Sequence, residues 1–128
     1  MAKRKHPEQI IQKAVANHLR VRGVPGLVWW HTPNGLYAGG KRNRKGIAIQ
    51  GSIMKGLGVR AGVSDIVAVH NGKIFALELK APGGTVTEAQ LEFLSDMERA
   101  GAYTCCAEGL DAALKTIEAW GLVRGVAR

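Results

Sequence analysis

Asn71-Gly72 stands between two apolar runs, residues 66–70 (IVAVH) and 74–80 (IFALELK). Both turn residues tolerate positive φ, as the two-residue turns that match strand twist require, so the runs are expected to pair as an antiparallel hairpin. A turn of two residues also fixes the register. His70 faces Lys73, Val69 faces Ile74, and counting outward Asp65 lands opposite Glu78. Lys80, two residues beyond Glu78, projects from the same sheet face.

The rest of the chain supplies elements to cover such a hairpin. A helix is expected over 7–22, with Pro7 in its first turn, Gly23 as its stop and Ile11, Val15 and Leu19 as its buried stripe. Glu8 lies one turn before Ile11 and is aimed toward the interior edge of the fold. Residues 27–32 read as a strand that ends at the turn residues Pro33-Asn34-Gly35. Trp29 and Trp30 must point to opposite faces of it, so one can be core while the other is available for stacking or for burial against a partner. Thr87 and Gln90 form a capping box at the head of a second helix, whose period Leu91, Leu94, Met97 and Glu98 carry to Gly101. A strand over 102–107 and a helix over 110–120 complete the order α-β-β-β-α-β-α. The expected architecture is an α/β fold with a mixed sheet flanked by helices, in one domain, since 128 residues support one core.

The stretch 33–62 is rich in glycine and basic residues, with at most a short helix near 52–57. Connections this long in a compact domain are usually functional or disordered, and substrate contact is the expectation. The net charge of +8 is concentrated in the basic tail 1–6 and in Lys41-Arg42-Asn43-Arg44-Lys45. Clustered cations favour a polyanion through phosphate contacts and counterion release. Lys55 adds to this set, and His31 and Asn34 leave the first strand beside it. Residues 35–42 follow the phosphate-loop pattern up to its last position. They lack the Ser or Thr that would hold Mg²⁺ and the following helix, so a nucleotide hydrolase is set aside.

No run approaches the roughly 20 apolar residues that span a bilayer, and a soluble, cytoplasmic protein without membrane contact is expected. Cys105 and Cys106 are adjacent and read as reduced thiols in a strand. The four histidines show no metal-ligand spacing.

Directly opposed residues of a hairpin have Cβ atoms about 5 Å apart, where two like charges destabilise the sheet. A divalent cation relieves the repulsion between Asp65 and Glu78. Hard oxygen ligands at that separation suit Mg²⁺ or Mn²⁺, and Lys80 supplies an ammonium able to orient a water or stabilise charge at phosphorus. Without metal the pair should hold one proton to unusually high pH. Polar residues at strand ends are the common alternative. They suit this strand less well, because residues 74–80 are apolar on both faces until Glu78 interrupts them.

Glu8 in the first helix, Gly62-Val63-Ser64-Asp65, Glu78-Leu79-Lys80, and Gln90 after the hairpin together resemble the virus-type replication-repair nuclease (VRR-NUC) domain of the PD-(D/E)xK superfamily. The resemblance runs from about residue 6 to 120. Ser64 departs from it, since proline is usual there. The resemblance implies phosphodiester hydrolysis with Mg²⁺ or Mn²⁺ bound by Asp65, Glu78 and the Leu79 main-chain carbonyl. It further implies an outer or second-metal carboxylate in Glu8, assistance to the attacking water from Lys80, and support from Gln90, whose place in the capping box is compatible with that role. Small free-standing members act as homodimers on branched DNA and resemble Holliday-junction resolvases. Larger proteins carry the domain as a flap-type repair nuclease. A non-catalytic nucleic-acid-binding module using the same basic surface is the rival from another class.

Overall fold

The computed structural model describes residues 7–33 and 49–125. Its elements are α1 (Pro7–Arg22), β1 (Val28–His31), α2 (Ile49–Gly56), β2 (Ile66–His70), β3 (Lys73–Lys80), α3 (Glu88–Arg99), β4 (Tyr103–Glu108) and α4 (Leu110–Ala119). Asn71 and Gly72 both take positive φ, 51° and 76°. The pairing they set is His70 with Lys73, Val69 with Ile74, and so outward to Ile66 with Leu77, as counted from the turn.

β1 adds antiparallel to the outer edge of β2, and β4 lies parallel to β3, giving the order β1-β2-β3-β4. A parallel neighbour needs a crossover, which α3 provides. The sheet is therefore mixed. One face carries Ile66, Ala68, Phe75, Leu77 and Leu79 against α1 and α4, with Leu122 and Val123 closing that layer. The other carries Ala76 against Phe93 and Leu94 of α3, flanked by Val63 and Met97. β3 is covered on both faces, which is why its sequence reads as a continuous apolar run. Each large side chain buried there contributes about 1.5–3 kcal/mol.

Two expectations change. The stretch 33–62 holds a helix, α2, that starts earlier than the short one anticipated, while residues 34–48 lie outside the described residues. Two glycines inside 49–56 obscure it at the level of sequence. In α3 the side turned to the sheet is Gln90, Phe93, Leu94 and Met97, whereas Leu91 is 55% exposed. That set is a single i, i+3, i+4, i+7 stripe whose first member is polar, so counting only apolar residues shifts the face toward Leu91. No helix among the described residues is long and apolar enough to cross a membrane.

Gly62 locks the segment before β2 against α3. Its φ is +78°, and a Cβ there would stand 2.4 Å from the carbonyl carbon and oxygen of Ala89. Gly62→Ala is expected to cost about 2–4 kcal/mol, from left-handed strain plus overpacking against backbone that cannot yield. Urea unfolding measures this; an unchanged midpoint would mean that the segment does not pack on α3 as described.

Candidate active site

Asp65 directly precedes β2, and its main chain is held from β1: its carbonyl accepts from the Thr32 N–H at 3.0 Å and lies 2.7 Å from Nδ1 of His31. Ser64, fully buried where proline would be usual in the resembled motif, donates its hydroxyl to the Ile66 carbonyl at 3.1 Å. With the backbone so fixed, Oδ2 of Asp65 accepts from the Leu79 N–H at 2.7 Å. The carboxylate is thereby drawn across to β3, one step outward from the Ile66–Leu77 pair.

Glu78 and Lys80 project from β3 and are 1% and 7% exposed. Lys80 Nζ lies 3.7 Å from Glu78 Oε2. That oxygen also accepts from Nε2 of Gln90 at 2.9 Å. The same Gln90 side chain accepts the Thr87 N–H through Oε1 at 2.9 Å, while Thr87 Oγ1 accepts from the Gln90 N–H at 3.2 Å. One rotamer of Gln90 thus both caps α3 and binds Glu78. Gln90→Ala is expected to lower stability by about 1–3 kcal/mol, the sum of a lost cap and a buried acceptor left short of a donor. A thermal melt unchanged from wild type would remove the bridging role.

Burial and the neighbouring Asp65 charge push Glu78 up to about 8, with Lys80 acting in the opposite direction. Burial also raises Asp65, opposed by the Leu79 N–H and by a hydrogen bond with Glu78. Two carboxyls in this geometry hold one proton between them near neutrality. Once both are ionised, Oε1 of Glu78 is a buried acceptor with no donor among the described residues. A bare carboxylate oxygen beside a second carboxylate fits a hard divalent cation.

The remaining expected residues fall at the rim or outside the described part of the chain. Glu8 stands at the head of α1, where Oε2 accepts from the Ala81 N–H at 3.4 Å and its charge acts to raise Asp65. It does not complete a cluster: among the described residues no three His, Cys, Asp or Glu side chains are grouped to hold a metal. The pair Asp65 and Glu78 would rely on main-chain and water oxygens for the rest of a coordination shell. Leu79 contributes an observed contact through its N–H. His31 and Lys55 are both exposed, His31 beside the Asp65 main chain and Lys55 on α2. Asn34, Lys41, Arg42, Arg44 and Lys45, with the pattern at 35–42, lie outside the described residues.

One neighbour was not anticipated. Cys106 pairs with Glu78 across β3 and β4, and burial together with the Glu78 charge pushes its thiol up. A parallel pair has no turn from which to count, so the sequence alone does not place this residue.

No family model matches the chain, and no curated protein sequence is similar to it. Among solved structures, a "VRR_NUC domain protein" superposes with a TM-score of 0.70, covering 98% of this chain and 99% of that one at 19% identity. The mixed four-stranded sheet flanked by helices is thus the fold of that VRR_NUC domain protein.

Proposed function

We propose that this chain is a VRR-NUC nuclease: a Mg²⁺- or Mn²⁺-dependent endonuclease that hydrolyses phosphodiester bonds in branched DNA, in the manner of a Holliday-junction resolvase. The observation that carries this is the pair Asp65 and Glu78, two partly or wholly buried carboxyls of which one oxygen has no donor among the described residues, set beside the buried ammonium of Lys80. The name of the similar structure and the basic character of the chain point the same way.

In this reading Asp65, Glu78 and the Leu79 carbonyl would hold the ion, with Glu8 as an outer carboxylate. A bound divalent ion supplies Lewis-acid charge to the scissile phosphate. Lys80 holds a water for in-line attack and places positive charge near the phosphoryl oxygens. Gln90 holds Glu78 through its Oε2, leaving Oε1 available as a ligand. His31, Lys55, Asn34, Lys41, Arg42, Arg44 and Lys45 contact phosphates. A homodimer would bring two such sites to the two strands that a resolvase must cut.

The test is cleavage of a labelled four-way junction, a flap and a linear duplex, with Mg²⁺, Mn²⁺ or EDTA. Cutting of the junction in either metal and none in EDTA is expected. Preference for the flap would change the substrate class. Binding without any metal-dependent cutting would identify a non-catalytic module.

A further inference from the structure

A groove of about 290 Å³ runs between α1 and β1, on the sheet face opposite α3. Gln9, Gln12, Lys13 and Arg20 line one wall, and Trp29 and His31 the other. None of these is acidic, whereas several cations elsewhere are committed to carboxylates: Arg22 to Glu118, Arg60 and Arg99 to Asp96, Lys80 to Glu78. Among the described residues Lys13 and Arg20 form no salt bridge, and both are exposed.

Arg20 is nonetheless held. Its guanidinium carbon sits 5.6 Å from the centre of the Trp29 ring. Stacking on an aromatic face fixes a guanidinium while leaving its in-plane N–H donors free, which is the arrangement that receives a phosphate bidentately. Gln12 adds a second sign of an absent ligand, since its Oε1 is buried with no donor among the described residues. An N–H or O–H arriving with a nucleic-acid strand would satisfy it.

The groove leads to the candidate site from both walls. On α1, Gln9 adjoins Glu8, whose carboxylate meets the Ala81 N–H next to Lys80. On β1, His31 meets the Asp65 carbonyl. From Gln9 to Arg20 the helix rises about 16 Å, room for several nucleotides of one strand.

We propose that this groove is the track for one phosphodiester strand of the substrate, with Lys13 and Arg20 as its phosphate contacts and Trp29 as the positioning residue for Arg20. The assignment rests on reading the chain as a nucleic-acid nuclease and adds the path by which a strand reaches the acidic pair.

The experiment measures binding of a labelled forked duplex, with both duplex and single-stranded arms, in EDTA across a salt series. Lys13→Ala with Arg20→Ala should weaken binding about tenfold or more at low salt. It should also lower the slope of log affinity against log salt by about two, one for each phosphate that is no longer neutralised. Trp29→Leu should lower the slope by about one and Trp29→Phe should restore it. A merely structural tryptophan would not show that pattern. Lys73→Ala with Lys115→Ala removes the same charge elsewhere and should leave the slope unchanged.

A wild-type slope in the Lys13/Arg20 variant, or an equal loss in the Lys73/Lys115 control, overturns the groove. Absence of binding by the wild type overturns the groove and the nuclease reading together. Binding that depends on Lys13 and Arg20, in a protein that cuts nothing with Mn²⁺, supports the groove and overturns the nuclease reading alone.

Discussion

Asp65→Asn is expected to cleave branched DNA at least about a thousand-fold more slowly than wild type, while melting in EDTA at the same temperature or higher. Loss of a metal-holding carboxylate removes several kcal/mol of transition-state stabilisation, and each 1.36 kcal/mol is about tenfold in rate. The fold should not suffer. An asparagine carbonyl still accepts the Leu79 N–H that Asp65 Oδ2 accepts at 2.7 Å. The substitution also removes the charge that raises Glu78, and leaves the Lys80–Glu78 pair intact. A site built for stability would behave in the opposite way, losing several degrees on this change. Melting curves in EDTA and initial cleavage rates in Mn²⁺, taken on one preparation, separate the two cases.

The second large effect is on pH. Glu78 is pushed from its ordinary 4.5 to about 8, so the folded metal-free protein binds a proton more tightly than the unfolded chain. The stability this provides is complete below about pH 4.5 and is lost as pH rises through about 8, because the unfolded chain then gives up its proton first and the folded chain later. Asp65 is shifted in the same direction and adds to the trend. The loss should be on the order of a few kcal/mol across this window. Thermal melts in EDTA from pH 5 to pH 9 should therefore fall, and Mn²⁺ should restore stability most at the alkaline end, where both carboxylates are free to bind it. Stability that stays flat or rises over this range in EDTA would mean that the pair holds no proton in common.

The acidic pair was legible because a two-residue turn and a side-chain period of two leave no freedom in register: Asp65, Glu78 and Lys80 follow from Asn71-Gly72 by counting. The double role of Gln90 was legible in part. Its capping spacing is local, but its reach to Glu78 depends on how α3 lies across β3. Leu91 misled because hydrophobicity marks a helix face only when polar members of the face are counted too, and here the first member of the stripe meets a carboxylate. Cys106 beside Glu78 and the groove between α1 and β1 are set by parallel pairing and by helix-on-sheet packing, which link residues with no turn between them to count from. α2 escaped a firm reading because its glycines weaken the helical signal and no capping residue announces it.

Joint binding of a divalent ion by Asp65 and Glu78 underlies both the proposed hydrolysis and the Mn²⁺ rescue at alkaline pH. It is tested most directly by Mn²⁺ binding, followed through the electron paramagnetic resonance of free Mn²⁺ as metal is titrated into the wild type and into Asp65→Asn near pH 8. Saturable uptake is expected for the wild type, and is expected to be lost, or weakened by at least about tenfold, in the variant. Equal uptake by the two proteins would contradict it.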